Sequence, residues 1–261
     1  MLDKPISVPS LKSEDAKNHL LVRQKIIDAA EGRLVTVVEE FEQAFDILAK
    51  YPNTVTIFGS ARTLQSHPVS RQAFAVAWAL AKHGYAVVTG GGGGVMQAAN
   101  HGAKKAGGVS IGFNIHLPTE QRLNPHTTES FQFEHFFGRK VAMTLDASAY
   151  VYCGGGFGTL DELFEIVTLT QTGTIPKVPI ILMGVDFWKP FDKVIKKTLL
   201  EEYGVIDTDD IDLYHITDDI EEIVAIIERS TQEEARAEMH ERSEKLQKRW
   251  QRQREEWEGL V

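Results

Sequence analysis

From Pro52 onward, short runs of β-branched and other apolar residues alternate with segments whose apolar residues recur at helical spacing. This alternation is typical of parallel βαβ units. Some runs are apolar at every position, as in Ile180–Met183, which indicates strands buried on both faces. The sequence therefore predicts an α/β fold built on a doubly wound parallel sheet. The predicted strands are Thr54–Phe58, Ala86–Val88, Val109–Phe113, Ala149–Tyr152 and Val178–Met183.

Helical segments also flank this alternating region. The first residues predict a lead-in of two helical stretches, Lys12–Ala30 and Arg33–Tyr51, and the last thirty form a predicted helix crowded with charges of both signs, typical of a solvated or partner-docking tail. No linker rich in proline or serine separates these parts. We therefore predict one domain over the whole chain, with a helical lead-in (1–51), an α/β core (52–230) and a charged C-terminal helix (231–261). The helices predicted within the core are Ser70–His83, Val95–Ala106, Arg139–Asp146, Leu160–Thr172 and Lys189–Glu202.

Composition argues against several classes of protein. The chain of 261 residues carries a net charge of -9, the wrong sign for a surface that binds a nucleic acid polymer. Its start lacks the basic and apolar regions of a signal peptide, and it has no apolar run of about 18 residues that would span a membrane. The single cysteine, Cys153, cannot form an intramolecular disulfide, which favours a reducing compartment. We therefore expect a cytoplasmic protein that binds neither a nucleic acid polymer nor a membrane.

Glycine-rich turns follow three of the predicted strands, at Gly59–Arg62, Gly90–Met96 and Gly154–Thr159. Ligands of open parallel sheets bind beyond the carboxyl ends of the strands. Glycine also lets the backbone N–H groups at a helix N-terminus approach an anion closely. A tight turn alone needs fewer glycines than the five of Gly90–Gly94. The pattern favours a phosphate-binding site over glycines that only permit turns.

Common nucleotide-binding and hydrolase motifs do not fit these turns. A P-loop ends in Gly-Lys-Ser/Thr, and the chain contains no Gly-Lys pair. A dinucleotide fingerprint starting at Gly154 would need glycine or alanine where Thr159 stands. Gly108–Gly112 matches the Gly-x-Ser-x-Gly string of serine hydrolases, but Ser110 lies within a predicted strand rather than at a strand-to-helix turn. We therefore predict neither an ATPase, nor a dinucleotide enzyme, nor a serine hydrolase.

Charged residues near the turns have two interpretations each. Thr159 and Glu162 have the spacing of a capping box at a helix start. A carboxylate at Glu162 is also within reach of a sugar whose phosphate binds at the preceding turn. Arg139 and Lys140 open a predicted helix, where positive charge opposes the helix dipole. They are either exposed basic residues or partners of a bound anion.

Metal and thiol chemistry find little support in the sequence. The nine histidines form neither an HExxH nor an HxxEH pattern. Cys153 ends a predicted strand, where a small buried residue is more common than a reactive thiolate. No lysine stands in a recognisable Schiff-base context. We therefore predict neither a metal nor a cofactor.

Taken together, these motifs resemble the LOG (lonely guy) family of cytokinin riboside 5'-monophosphate phosphoribohydrolases, long described as lysine decarboxylases. The family's Pro-Gly-Gly-x-Gly-Thr-x-x-Glu motif is matched by residues 154–162, except that Gly154 replaces the proline. Its Arg-Lys pair is matched by Arg139 and Lys140. The turns Gly59–Arg62 and Gly90–Met96 resemble its first two ligand loops, so the resemblance covers about residues 50–185.

This resemblance implies a Rossmann-like fold and hydrolysis of the N-glycosidic bond of an adenine-type nucleoside 5'-monophosphate to free base and ribose 5-phosphate. Plain AMP and prenylated (cytokinin) substrates stay open as alternatives. Arg139 and Glu162 would be the catalytic pair, with the carboxylate stabilising an oxocarbenium-like sugar and activating water. The implied substrate-binding residues are Gly59, Ser60, Arg62, Gly92, Gly93, Gly94, Met96, Lys140, Gly155, Gly156, Gly158 and Thr159.

A second function also stays open. Relatives of this fold can carry a nucleotide-like cofactor without turning it over, and both functions need the glycine turns. Only hydrolysis needs Arg139 and Glu162 together. The resemblance further implies a homo-oligomer, a dimer or a hexamer, with the site near the subunit contact.

Overall fold

The computed structural model describes residues 13–116, 122–145 and 147–233. The chain divides into two compact units, Met1–Gln43 and Ala44–Val261. That division falls inside the predicted lead-in, and the organisation as one domain stays a prediction. Residues 234–261, which hold nearly all of the predicted charged C-terminal helix, lie outside the described residues.

The lead-in forms one helix, α1 (Ser13–Leu48), where the sequence predicted two. The predicted break lay at Glu31 and Gly32. A glycine inside a helix costs only about 1 kcal/mol relative to alanine, which is too little to end a helix of 36 residues.

Seven strands of the described residues form a parallel sheet in the order β4-β3-β2-β1-β5-β6-β7. The first strand, β1, lies at the centre of the sheet. The next three strands follow one another on one side of it, and β5, β6 and β7 lie on the other side. This order is that of a doubly wound, Rossmann-like sheet, so the predicted fold class is confirmed. The strands are β1 (Thr54–Phe58), β2 (Ala86–Thr89), β3 (Ser110–Ile115), β4 (Glu129–Phe133), β5 (Ala149–Tyr152), β6 (Ile180–Leu182) and β7 (His215–Ile216).

Helices cover both faces of the sheet, because alternate residues of each strand point to opposite sides. The helices are α2 (Pro68–Lys82), α3 (Gly94–Lys105), α4 (Phe136–Thr144), α5 (Phe157–Gln171), α6 (Val185–Val194), which continues as a π-helix (Ile195–Glu202), and α7 (220–233). Val55 and Ile57 of β1 belong to a core that includes residues of α2, α3 and α7, whereas Phe58 belongs to a second core with residues of α4, α5 and α6. No helix of the described residues combines the length and apolarity needed to cross a membrane.

The sequence did not predict the outermost strands. In β4 partly buried and exposed residues alternate, and only Phe133 is fully buried, because a strand at the sheet edge is less covered by helices. β7 has only two residues, and its regular structure depends on pairing with Ile181 and Leu182 of β6. Neither strand carries the continuous apolar run that marks the central ones.

Candidate active site

A cavity of about 730 Å³ lies beyond the carboxyl ends of β1 and β5. These neighbouring strands are those at which the chain reverses its direction across the sheet, the usual ligand position in such folds. The cavity is lined by residues 57–62, Gly90, Met96, Arg139, Met143, Gly155, Gly156, Phe157, Gly158, Thr159, Leu160, Glu162, Phe187 and Phe191.

Backbone hydrogen bonds join the three glycine turns into one floor. The Ser60 N–H donates to the Gly154 carbonyl at 3.3 Å, and the Ser60 carbonyl accepts from the Val95 N–H at 2.9 Å. A side chain at Gly59 would collide with Val95, so glycine is needed for this close approach. Although the turns are far apart in sequence, they form a single surface at the bottom of the cavity.

Helix α5 starts at this floor and presents its N-terminus to the cavity. Its first residue is Phe157, its N-cap is Gly156, and no side chain caps it. The first turn holds no acidic residue, so its positive dipole end is not neutralised from within the helix. This start is suited to an anion such as a phosphate ester.

The capping box predicted for Thr159 and Glu162 does not form. Because α5 begins at Phe157, Thr159 already lies in the first turn and Glu162 lies in the second. Instead, Thr159 Oγ1 packs where a side chain on Gly155 would stand. Capping therefore does not account for Glu162, and its carboxyl group belongs to the cavity lining.

Arg139 enters the cavity from α4 and is only 8% exposed. Its Nε donates a hydrogen bond of 2.7 Å to the Phe113 carbonyl in β3. Its terminal nitrogen Nη2 packs against Gly90, where a Cβ atom would collide with it. Burial lowers the pKa of Arg139, and the nearby Glu162 carboxylate partly opposes that shift. The sequence alternative of an exposed basic residue is therefore wrong for Arg139.

Glu162 is the acidic residue of the cavity lining. Burial raises its pKa from 4.5 to about 7, against the opposing attraction of Arg139 and Lys140. A carboxyl group of this kind exists in both protonation states near neutral pH, as suits a group that takes up and releases a proton. The structure thus brings Arg139 and Glu162 into one cavity beside the floor of glycine turns.

Lys140, the second basic residue of the predicted pair, lies elsewhere. Its Nζ contacts Asp161 at 2.6 Å and Glu165 at 3.1 Å, and it does not line the cavity. Successive residues of a helix point about 100° apart, so Arg139 and Lys140 cannot both face the same cavity. The sequence predicted an anionic partner for Lys140, and Asp161 and Glu165 are that partner. Their ion pairs with Lys140 join α4 to α5.

Most of the glycine run after β2 serves packing rather than the cavity. Only Gly90 of this run lines the cavity, whereas Gly92, Gly93 and Gly94 do not. Gly94 has a φ of 62°, and a Cβ there would collide with the Ser60 carbonyl. The predicted substrate contacts of these three glycines therefore find no support in the cavity lining. Apart from Lys140, the other predicted binding residues do line it, namely Gly59, Ser60, Arg62, Met96, Gly155, Gly156, Gly158 and Thr159.

Sequence reasoning missed an aromatic wall. Phe187 and Phe191 of α6 line the cavity with ring centroids 5.4 Å apart, and Phe157 is 91% exposed at the start of α5. The predicted helix began at Lys189, after the first of these rings. Gly184, whose φ of 111° needs glycine, directly precedes α6 and was the available signal for the earlier start.

The described residues offer little for other chemistries. They contain no group of three or more His, Cys, Asp or Glu residues arranged to hold a metal ion. Cys153 is buried, and burial raises the pKa of its thiol to about 12, so it is not a reactive thiolate. Ser110 lies inside β3 and hydrogen-bonds to Asn100, as expected for a structural serine.

Comparison with known proteins gives a consistent result. A family model described as possible lysine decarboxylase matches residues 96–227. A cytokinin riboside 5'-monophosphate phosphoribohydrolase of Oryza sativa subsp. japonica is 34% identical over 128 residues, covering 48% of this chain and 52% of the relative. The protein of that name from Mycobacterium marinum is 32% identical over 142 residues, covering 53% and 73%. The chain thus spans about half the length of the Oryza relative and nearly three quarters of the mycobacterial one.

Solved structures share the fold. The X-ray structure of TM1055 aligns with a TM-score of 0.52 and 29% identity, over 68% of this chain and 99% of that one. The molybdenum cofactor carrier protein from Chlamydomonas reinhardtii aligns with a TM-score of 0.51 and 23% identity, over 69% and 98%. At that identity the likeness to the carrier concerns the fold alone.

Proposed function

Because the chain belongs to the LOG family, whose family model is described as possible lysine decarboxylase, we propose that it hydrolyses the N-glycosidic bond of an adenine-type nucleoside 5'-monophosphate. The products are the free base and ribose 5-phosphate. One observation carries the proposal: Arg139 and Glu162 share a cavity with the uncapped N-terminus of α5.

Under this proposal the phosphate binds at the floor of glycine turns. The N–H groups at the start of α5 and the Thr159 hydroxyl supply donors, and Arg62, which is exposed at the cavity, supplies positive charge. A phosphate held there leaves the attached ribose within reach of Glu162, which lies one turn further along the helix.

The chemistry follows from two charged side chains. As the bond between C1' and the base nitrogen breaks, its electron pair leaves with the base and the ribose becomes oxocarbenium-like. The Glu162 carboxylate stabilises this positive charge and accepts a proton from the water that attacks C1'. Water thus gives up one proton and the departing base gains one, so the overall reaction is balanced. Arg139 either fixes the phosphate or assists departure of the base.

Lysine decarboxylation, the reaction in the family description, has less support. Pyridoxal chemistry needs a lysine at the reaction site to form a Schiff base. Among the described residues that line the cavity there is no lysine, and the nearby Lys140 is paired with Asp161 and Glu165.

Incubation of the purified protein with AMP and with isopentenyl-AMP tests the proposal. We expect chromatography to detect free base from at least one of them, and the preferred substrate identifies the pocket as plain or prenyl-accepting. Glu162→Ala should abolish turnover and leave nucleotide binding measurable by calorimetry. Tight binding without product from either compound would favour the carrier function instead, and near-normal turnover by Glu162→Ala would remove the carboxylate from the mechanism.

We also propose that the protein is a cytoplasmic homo-oligomer. Phe137 and Val141 of α4 and its C-cap residue Leu145 are exposed and recur every four residues, so they form one apolar stripe along this helix. A second copy of the chain is the partner that the family resemblance favours for this face.

The cytoplasm is proposed as the location because the one cysteine, Cys153, is buried and cannot pair within the chain.

A further inference from the structure

The guanidinium of Arg139 lies between two backbone segments. On one side the Phe113 carbonyl accepts a hydrogen bond from Nε at 2.7 Å. On the other side Nη2 packs against Gly90, the first residue of the glycine run after β2. The position of the charge in the cavity therefore depends on where the Gly90–Gly93 turn is held.

Asn124 holds this turn from outside the cavity. Its backbone N–H donates to the Gly91 carbonyl at 2.8 Å, and its side-chain Nδ2 donates to the Gly92 carbonyl at 3.0 Å. Gly91 has a φ of 67°, a conformation that L side chains rarely adopt. Asn124 is buried and does not line the cavity, so contact with a ligand does not explain these bonds.

A second buried amide fixes Asn124. The Oδ1 of Asn100 accepts hydrogen bonds from Asn124 Nδ2 at 2.9 Å and from Thr89 Oγ1 at 2.6 Å, and its Nδ2 donates to Ser110 Oγ at 2.9 Å. Thr89 Oγ1 also accepts from the Gly91 N–H at 3.0 Å. A buried network whose members satisfy one another is rigid, and loss of one member leaves others unsatisfied.

We propose that Asn124 is a positioning residue, which holds Gly91 and Gly92 so that the turn keeps the guanidinium of Arg139 at a fixed place relative to Glu162. The importance of this role for catalysis rests on the proposed hydrolysis. The effect of Asn124 on the position of the Arg139 charge does not depend on that proposal. Asn124 acts through the turn and touches no reacting atom.

The pKa of Glu162 reports the position of that charge. Arg139 and Lys140 of α4 lower this pKa, whereas burial and the neighbouring Asp161 and Glu165 of α5 raise it. If the turn loosens, the guanidinium keeps only its bond to Phe113 and its average attraction to the carboxylate weakens. The Glu162 pKa should then rise, while the other charges stay in place.

Carbon-13 NMR titration of the glutamate side-chain carboxyl groups tests this inference on the intact protein. Glu162→Gln assigns the resonance, and Arg139→Met gives the shift for complete loss of the charge, expected to be about one pKa unit or more. Asn124→Ala loses the side-chain bonds to Gly92 and Asn100 but keeps the backbone bond to Gly91, so it should raise the pKa by a measurable part of that shift. Thr89→Val, which keeps the volume but loses the hydroxyl, should raise the pKa in the same direction if Asn124→Ala does not fold.

The exposed Asn53 supplies the matched control, because Asn53→Ala removes the same side-chain amide far from this turn and should leave the Glu162 pKa unchanged. An unchanged or lowered pKa in Asn124→Ala and Thr89→Val, together with a raised pKa in Arg139→Met, would overturn the inference. The titration does not depend on turnover. Absence of base release would therefore refute the proposed hydrolysis without deciding the role of Asn124.

Discussion

The guanidinium of Arg139 occupies the space that a Cβ atom would need on Gly90. Gly90 follows β2 and Arg139 lies in α4, so this contact joins two halves of the cavity wall that are about fifty residues apart in sequence. Glycine at this position is a condition for burying the charge beside Glu162.

Gly90→Ala should displace the Arg139 side chain while leaving the sheet intact. A displacement of about 1 Å in a catalytic group can reduce the rate about 100-fold, so we expect a loss of that order in kcat/KM for base release. Thermal unfolding of the variant checks that the fold survives. Wild-type kcat/KM in a folded Gly90→Ala protein would show that the position of the guanidinium does not matter.

Activity should depend on the ionisation of Glu162. Its pKa of about 7 means that the carboxylate needed to activate water forms as the pH rises through neutrality. We therefore expect kcat/KM to increase between about pH 6 and 8 and then level off. Asp161→Asn, which changes the adjacent exposed acid, should retain this rise, whereas a flat profile in the wild type would contradict the assignment.

The same carboxyl group should make stability depend on pH. Because the folded pKa of about 7 exceeds the ordinary value of 4.5, the native state binds more protons between these values and its stability falls as the pH rises. Glu162→Gln removes this loss. Its melting temperature should exceed that of the wild type by more at pH 8 than at pH 4, and an equal difference at both pH values would refute the coupling.

Gly154, which stands where the family motif has proline, should be energetically coupled to Phe187. A Cβ added to Gly154 would lie 3.2 Å from Phe187 Cγ, so the ring would have to shift. In a double-mutant cycle, Gly154→Ala should destabilise the wild type more than it destabilises Phe187→Leu, with a coupling of at least about 0.5 kcal/mol. If urea titrations show that the two substitutions change the free energy of unfolding additively, the glycine does not accommodate the ring.

The apolar stripe on α4 should be an interface between copies of the chain. Sedimentation velocity should find a dimer or a hexamer for the wild type and smaller species for Val141→Glu, because a buried charge without a partner opposes association. Val205→Glu changes another exposed valine, away from this stripe, and should leave the assembly intact. A wild-type monomer at all concentrations would contradict the proposal.

The central parts of the fold and site could be predicted because their signals are local. Runs of apolar and β-branched residues identified β1, β2, β3, β5 and β6, and the glycine-rich turns after β1, β2 and β5 identified the ligand edge. The capping box of Thr159 and Glu162 was wrong because the helix starts after Gly156, so its N-cap lies three residues earlier than the motif suggested. The edge strands β4 and β7 lacked such signals, since pairing with a neighbour defines them.

By itself the sequence determined the parallel α/β architecture and the three glycine turns, because strand burial and turn chemistry act on neighbouring residues, whereas the candidate pair Arg139 and Glu162 came from the resemblance to the LOG family. Only the tertiary structure decided that Arg139 faces the cavity while Lys140 faces Asp161, and that Asn124 rather than a ligand holds the second turn. Helix orientation and buried hydrogen bonds between distant segments depend on how the layers pack, and no spacing along the chain records that packing.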